Sequence, residues 1–175
     1  MNYFALFGIE ESFDVDTAKL SEIYQTLQKK VHPDKFAHAS SQEQLLAVQK
    51  SAQINDAYQT LKQPLKRADY MLTLREVDMP SEQASFQDNF FLMRQMELRE
   101  MLEDIKHASD VDAAIFAANE ELDVEYDSLT TKMRQQLYDN TPESNLAASE
   151  NLRKLKFYQK LHIELDRLEE QLFDD

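Results

Sequence analysis

The chain has 175 residues, 42% hydrophobic and 30% charged, with a formal net charge of −14 and a pI near 4.7. That length can bury one ordinary core or two small ones, but the single glycine excludes phosphate-cradling loops, dinucleotide-binding turns and hairpin-rich β folds, which need backbone at positive φ or in close approach to a ligand. With no cysteine there are no disulfides, thiol nucleophiles, cysteine zinc sites or iron–sulfur clusters ligated by the chain's own thiolates, and so acidic a balance argues against nucleic acid, whose phosphates must be met by Lys and Arg.

The charge is uneven. Residues 1–76 hold 9 Lys and Arg against 10 Asp and Glu, a net of −1, whereas residues 77–175 hold 10 against 23, a net of −13. Two parts with different tasks are expected. The start, Met1 to Phe7, lacks the basic region of a secretory signal and is soon followed by Glu10 and Glu11. No apolar run approaches the ~20 residues that span a bilayer, so the expected location is cytoplasmic, away from membranes.

Leu20, Ile23, Tyr24, Leu27 and Val31 form the stripe of an amphipathic helix over 19–31, with Lys29 and Lys30 outside it. Asp16 is read as its N-cap, and Pro33 stops it by removing a donor and disfavouring helical geometry at His32. A second helix begins near Ser40, where Ser40 and Glu43 have capping-box spacing, and runs to about Gln63 before Pro64. A short helix over Leu65–Leu74 follows, and Val77 to Ser81 reads as a connection. Three long helical patterns come next: about 85–106, from near Ser109 to Leu137, and a third after Asn140-Thr141-Pro142, with Thr141 as N-cap and Pro142 at the first helical position. The expected fold is all-α: a helical hairpin with short flanking helices in 1–76, a linker over 77–84, and an antiparallel three-helix bundle over 85–175.

His32-Pro33-Asp34-Lys35 occupies the loop of the hairpin. A metal site on His32, Asp34 and His38 can be drawn on paper, but no further ligand cluster supports it. A His–Asp catalytic dyad lacks a nucleophile and an oxyanion pocket. By average usage the tripeptide arises by chance in such a chain on the order of one time in a hundred. Its context is a lysine-bearing helix before it and, after it, a long helix with Asn55-Asp56-Ala57-Tyr58-Gln59-Thr60-Leu61 and then Pro64-Leu65-Lys66-Arg67-Ala68. This arrangement resembles the J domain, the module that activates DnaK-class ATPase chaperones. Tyr3, Leu6 and Gly8 fit its start, while Val31 departs from the tyrosine common there. The resemblance implies that His32, Pro33, Asp34, Lys29 and Lys30 dock on the chaperone and promote ATP hydrolysis.

The first bundle helix carries more apolar residues than one buried stripe uses. Around the helix from Leu98, at 100° per residue, Phe91, Leu102 and Ile105 fall within about 40° and Met101 within about 60°. Met93, Met96 and Glu100 fall opposite, flanked by Leu92, Glu103 and Asp104, with Glu97 at the edge. A methionine strip rimmed by carboxylates is either packed against a neighbouring element or a surface for a basic partner.

With a J domain before an acidic bundle, the chain resembles the HscB-type co-chaperone family of iron–sulfur cluster assembly. The runs Asn2 to Gly8, Phe91-Leu92-Met93, Glu97-Leu98-Arg99-Glu100 and Arg153-Lys154-Leu155-Lys156-Phe157 extend the likeness over the whole chain. It implies that the bundle binds an IscU-type scaffold protein through Leu92, Met93, Met96, Glu97, Glu100, Asp104 and Phe157, and that the J domain delivers the scaffold to an HscA-type chaperone. It implies the bacterial type, because eukaryotic members add a cysteine-rich segment before the J domain. The expectation is a co-chaperone with no catalytic residues, no cofactor and no metal. The competing readings are a J-domain co-chaperone with another client and a passive helical adaptor.

Overall fold

The computed structural model describes residues 2–81 and 83–173, and among these there are helices and loops but no strand. The helices are α1 (Tyr3–Leu6), α2 (Thr17–Val31), α3 (Ser41–Lys62), α4 (Pro64–Leu74), α5 (Asn89–Asp104), α6 (Val111–Asp139) and α7 (Pro142–Phe173), with 3-10 turns at Pro33–Phe36 and Ile105–His107. The expected all-α architecture is the one observed. Most ends sit where cap chemistry puts them: Asp16 accepts from the Ala18 and Lys19 amides, Ser40 from Glu43, and Thr141 from Ser144.

The chain divides into two compact units, one comprising residues up to Val77 together with Gln136–Asn145, the other the remainder. In the first unit α2 and α3 form the hairpin. Of the α2 stripe only Leu20 is fully buried, and Ile23, Tyr24, Leu27 and Val31 are half-buried. Phe4, Ile54, Leu61, Met71 and Leu72 complete an interior closed by α1 and α4. Arg67 is buried and donates to the Phe13 carbonyl at 2.7 Å and the Leu61 carbonyl at 2.6 Å, joining the first loop to the end of α3. Gly8, at φ +66°, ends α1 in the left-handed conformation that a side chain disfavours. Arg75 donates to Glu11, to the Leu137 carbonyl and to Asn145, which fastens the turn between α6 and α7 into this unit.

The second unit is built on Leu98 and Leu102 from α5, Ile105 from the 3-10 turn that follows it, Ile115, Ala118 and Leu122 from α6, and Tyr158, Leu161 and Leu165 from α7. Here α5 departs from the predicted span. It starts at Asn89, not near 85, because Asp88 is its N-cap, accepting from the Phe91 amide at 3.2 Å. The preceding residues are held outside the helix by α7: Arg153 donates to the Ala84 carbonyl and lies 4.2 Å from the Phe86 ring centroid, while Lys154 pairs with Asp88 at 2.8 Å. The Lys154 ammonium, the Phe91 amide and the charge nearby hold the Asp88 carboxyl below its usual pKa. Helix α6 likewise starts at Val111, after Asp110 accepts from the Ala113 amide.

Candidate functional site

Two exposed surfaces, one on each unit, collect the residues singled out by the sequence. On the first unit α2 ends at Val31 and His32 turns the chain into the 3-10 helix, with Pro33 at its first position. Proline suits that place because its missing donor would be unpaired anyway. The His32 Nδ1 accepts from the Asp34 amide at 3.2 Å, and the His32 carbonyl accepts from Lys35 at 3.0 Å. An accepting Nδ1 puts the neutral ring's hydrogen on Nε2. The Asp34 carboxylate stands 3.5 Å from the same Nδ1, so it is a neighbour of the ring, not its hydrogen-bond acceptor in that state. The loop thus fixes its own backbone and leaves its charge outward: the Asp34 side chain is 92% exposed and that of His32 57%.

Lys29 and Lys30 are exposed in the last turn of α2, where the helix dipole favours cations. Beside them a cleft of about 640 Å³ opens between α2 and α3, walled by Lys29, His32, Pro33 and Val48. Gln28 and Ser51 brace its floor, the amide donating to the Ser51 carbonyl at 3.0 Å and the hydroxyl donating back at 2.7 Å. The structure therefore brings Lys29, Lys30, His32, Pro33 and Asp34 together on one end of the hairpin. His38 joins no such group, and among the described residues no three His, Cys, Asp or Glu side chains gather around a metal position.

On the second unit, the faces of α5 separate as its phasing requires. Phe91, Leu98, Leu102 and Ile105 are buried and Met101 is half-buried against them, whereas Leu92, Met93 and Met96 are exposed at 36%, 62% and 66%. Glu97, Glu100 and Asp104 are exposed along the same side. Phe157 comes from α7 and is only half-buried. It meets the Phe91 ring edge-on at 5.7 Å, and the Arg99 guanidinium, paired with both oxygens of Glu164, lies 5.6 Å from its centroid. It therefore packs against the core beside Arg99 of α5.

Sequence reasoning missed three features. Arg94 donates to Glu97 at 2.8 Å, to Glu125 at 2.7 Å and to Glu121, linking α5 to α6. Burial works against its charge, but the hydrogen bonds it donates to these carboxylates outweigh that and raise its pKa above the usual arginine value. Nearby, burial and the charge of Glu125 raise the Tyr158 phenol, which stays protonated. Phe90, next to the strip, is 88% exposed, and Leu45, Leu46 and Val48 are exposed on the first turns of α3. Pairings between residues about thirty positions apart leave no periodic signal. The unused apolar residues at 45, 46, 48 and 90 were visible as positions outside the core stripes.

Comparison with known proteins covers both surfaces. Residues 2–70 match the DnaJ domain, and residues 87–166 match the domain described as the HSCB C-terminal oligomerisation domain. The chain is 68% identical to the co-chaperone protein HscB homolog of Colwellia psychrerythraea over the full length of both. It is 48% identical to that of Shewanella halifaxensis over 99% of this chain and 100% of the relative. Among solved structures, chaperone HscB from Vibrio cholerae superposes with a TM-score of 0.92 at 46% identity, covering 98% of this chain and 100% of the other. Human co-chaperone protein HscB does so with a TM-score of 0.87 at 30% identity, covering 97% and 82%. No helix among the described residues is long and apolar enough to cross a membrane.

Proposed function

Because this chain belongs to the HscB family of J-domain co-chaperones, we propose that it stimulates the ATPase of a specialised HscA-type chaperone and delivers an IscU-type iron–sulfur scaffold protein to it. It acts in the cytoplasm and catalyses no reaction of its own. Residues 1–76 serve as the J domain, 77–84 as the linker and 85–175 as the scaffold-binding domain. The observation that carries this reading is the coexistence of a self-capped His-Pro-Asp loop with its carboxylate outward and an exposed methionine strip on a separate unit.

On the chaperone side, Asp34 accepts a charge-assisted hydrogen bond from a basic group, Pro33 holds the flanking polar groups in one presentation, and His32 spends its Nδ1 on the loop so that Nε2 is left to donate outward. Lys29 and Lys30 meet an acidic surface. An exposed ion pair contributes only about 0–1 kcal/mol, so docking rests on several simultaneous contacts and is transient. On the scaffold side, burial of Leu92, Met93 and Met96 supplies roughly 4–9 kcal/mol gross. Association costs about 4–15 kcal/mol. The acidic rim of Glu97, Glu100 and Asp104 therefore adds steering of a basic partner, and Phe157 extends the apolar area. The test is the ATPase rate of an HscA-type chaperone with this chain, with and without an IscU-type scaffold. Stimulation that increases when the scaffold is present supports the reading, and a rate unaffected by the chain overturns it.

A further inference from the structure

We propose that the scaffold-binding face does not end on α5 but continues towards α6, with Phe90 as an additional apolar anchor and Glu121, tied to Glu97 through Arg94, as an additional acidic contact for a basic segment of the scaffold. This rests on the scaffold-binding reading given above. Phe90 lies in the first turn of α5 and is 88% exposed. The fold has no use for it there: the entry to the helix is set by Asp88, Lys154 and the buried Phe91. Residues three and four apart are neighbours on a helix surface, so Phe90 adjoins Met93, and Met93 adjoins Glu97. These three make one ridge on the side of α5 from which Arg94 reaches α6.

Arg94 defines the far edge of that ridge. One guanidinium holds the Glu97, Glu121 and Glu125 carboxylates, so Glu97 of α5 and Glu121 of α6 stand side by side. The side chains of Glu97 and Glu121 are 58% and 44% exposed, and three carboxylates facing one cation leave the spot net negative. An aromatic ring beside a fixed acidic pair is complementary to a partner presenting an apolar side chain flanked by Lys or Arg. Arg94 is a positioning residue here, removing the rotamer freedom of both carboxylates before the partner arrives. Phe116 of α6 serves as contrast: it is 65% exposed, but at 100° per residue it falls about 140° around the helix from Glu121, away from this ridge.

The experiment is calorimetric titration of the full chain with an IscU-type scaffold, comparing Phe90→Ala, Phe90→Leu, Glu121→Gln, Met93→Ala and the contrast Phe116→Ala, each checked for an unchanged helical melt. Phe90→Ala weakens binding about tenfold. Phe90→Leu recovers most of that loss, Glu121→Gln gives a smaller loss that disappears at high salt, and Phe116→Ala binds like the parent. Parent-like binding by Phe90→Ala and Glu121→Gln while Met93→Ala is weakened overturns the extension and leaves the scaffold-binding reading standing. Parent-like binding by all of them overturns both.

Discussion

The His-Pro-Asp loop and the methionine strip are both exposed, yet they are exposed for different physical reasons. The loop spends part of its polarity on itself: His32 caps the following turn through Nδ1, and what remains outward is the other ring nitrogen, one carboxylate and two lysines. Such a surface offers direction and charge but little area, which suits a contact that must form and dissolve. The strip offers area. Its side chains stand on a helix whose opposite face is bolted into the core by Leu98, and its carboxylates are held partly by Arg94. Recognition by geometry and recognition by burial should therefore fail in different ways when residues are changed.

The largest expected effect separates them most cleanly. Asp34→Asn keeps the size of the side chain but loses its charge, and a hydrogen bond to a charged group is worth about 1.5–3 kcal/mol. Chaperone stimulation should fall roughly tenfold or more while scaffold affinity and the melting curve stay put. A folded Asp34→Asn chain that stimulates normally would erase the distinction. Next come the two faces of α5. Leu98→Ala should cost about 2–5 kcal/mol in denaturant unfolding. Met93→Ala with Met96→Ala should shift stability by no more than about 0.5 kcal/mol each while weakening scaffold binding. A large loss of stability for the methionine pair, with affinity per folded molecule preserved, would make the strip part of the core.

A smaller effect tests the rim. Charge reversal of Glu97 and Glu100 should slow association with the scaffold more than it speeds dissociation, and raised salt should slow the unaltered chain in the same way, as stopped-flow traces would reveal. The smallest concerns the start of the strip. The Asp88 carboxyl titrates below its usual value of 3.8 in the folded chain, so its contribution is complete above that value and is lost as pH falls through the lowered one. Asp88→Asn should flatten this acid dependence of unfolding, and an unchanged acid limb would detach Asp88 from the stability of α5.

What the sequence determined by itself was everything that depends on neighbours along the chain. The 3.6-residue period marked the helices and sorted α5 into a buried and an exposed face. Ser, Thr and Asp set most helix starts, prolines set the stops, and His32-Pro33-Asp34 with its flanking helices carried the family resemblance. These are local effects, written in spacings of one to four residues. The tertiary structure alone decided what depends on residues far apart: that Arg153 and Lys154 hold the approach to α5 extended and delay its start to Asn89, that Arg67 closes the first loop onto α3, and that Arg94 sets Glu97 beside Glu121. It also decided that residues 136–145 form one compact unit with the first 77, with Arg75 reaching Leu137 and Asn145. An arginine's partners lie wherever folding brings carbonyls and carboxylates within reach of a long, five-donor side chain, and nothing in its immediate neighbours records that choice.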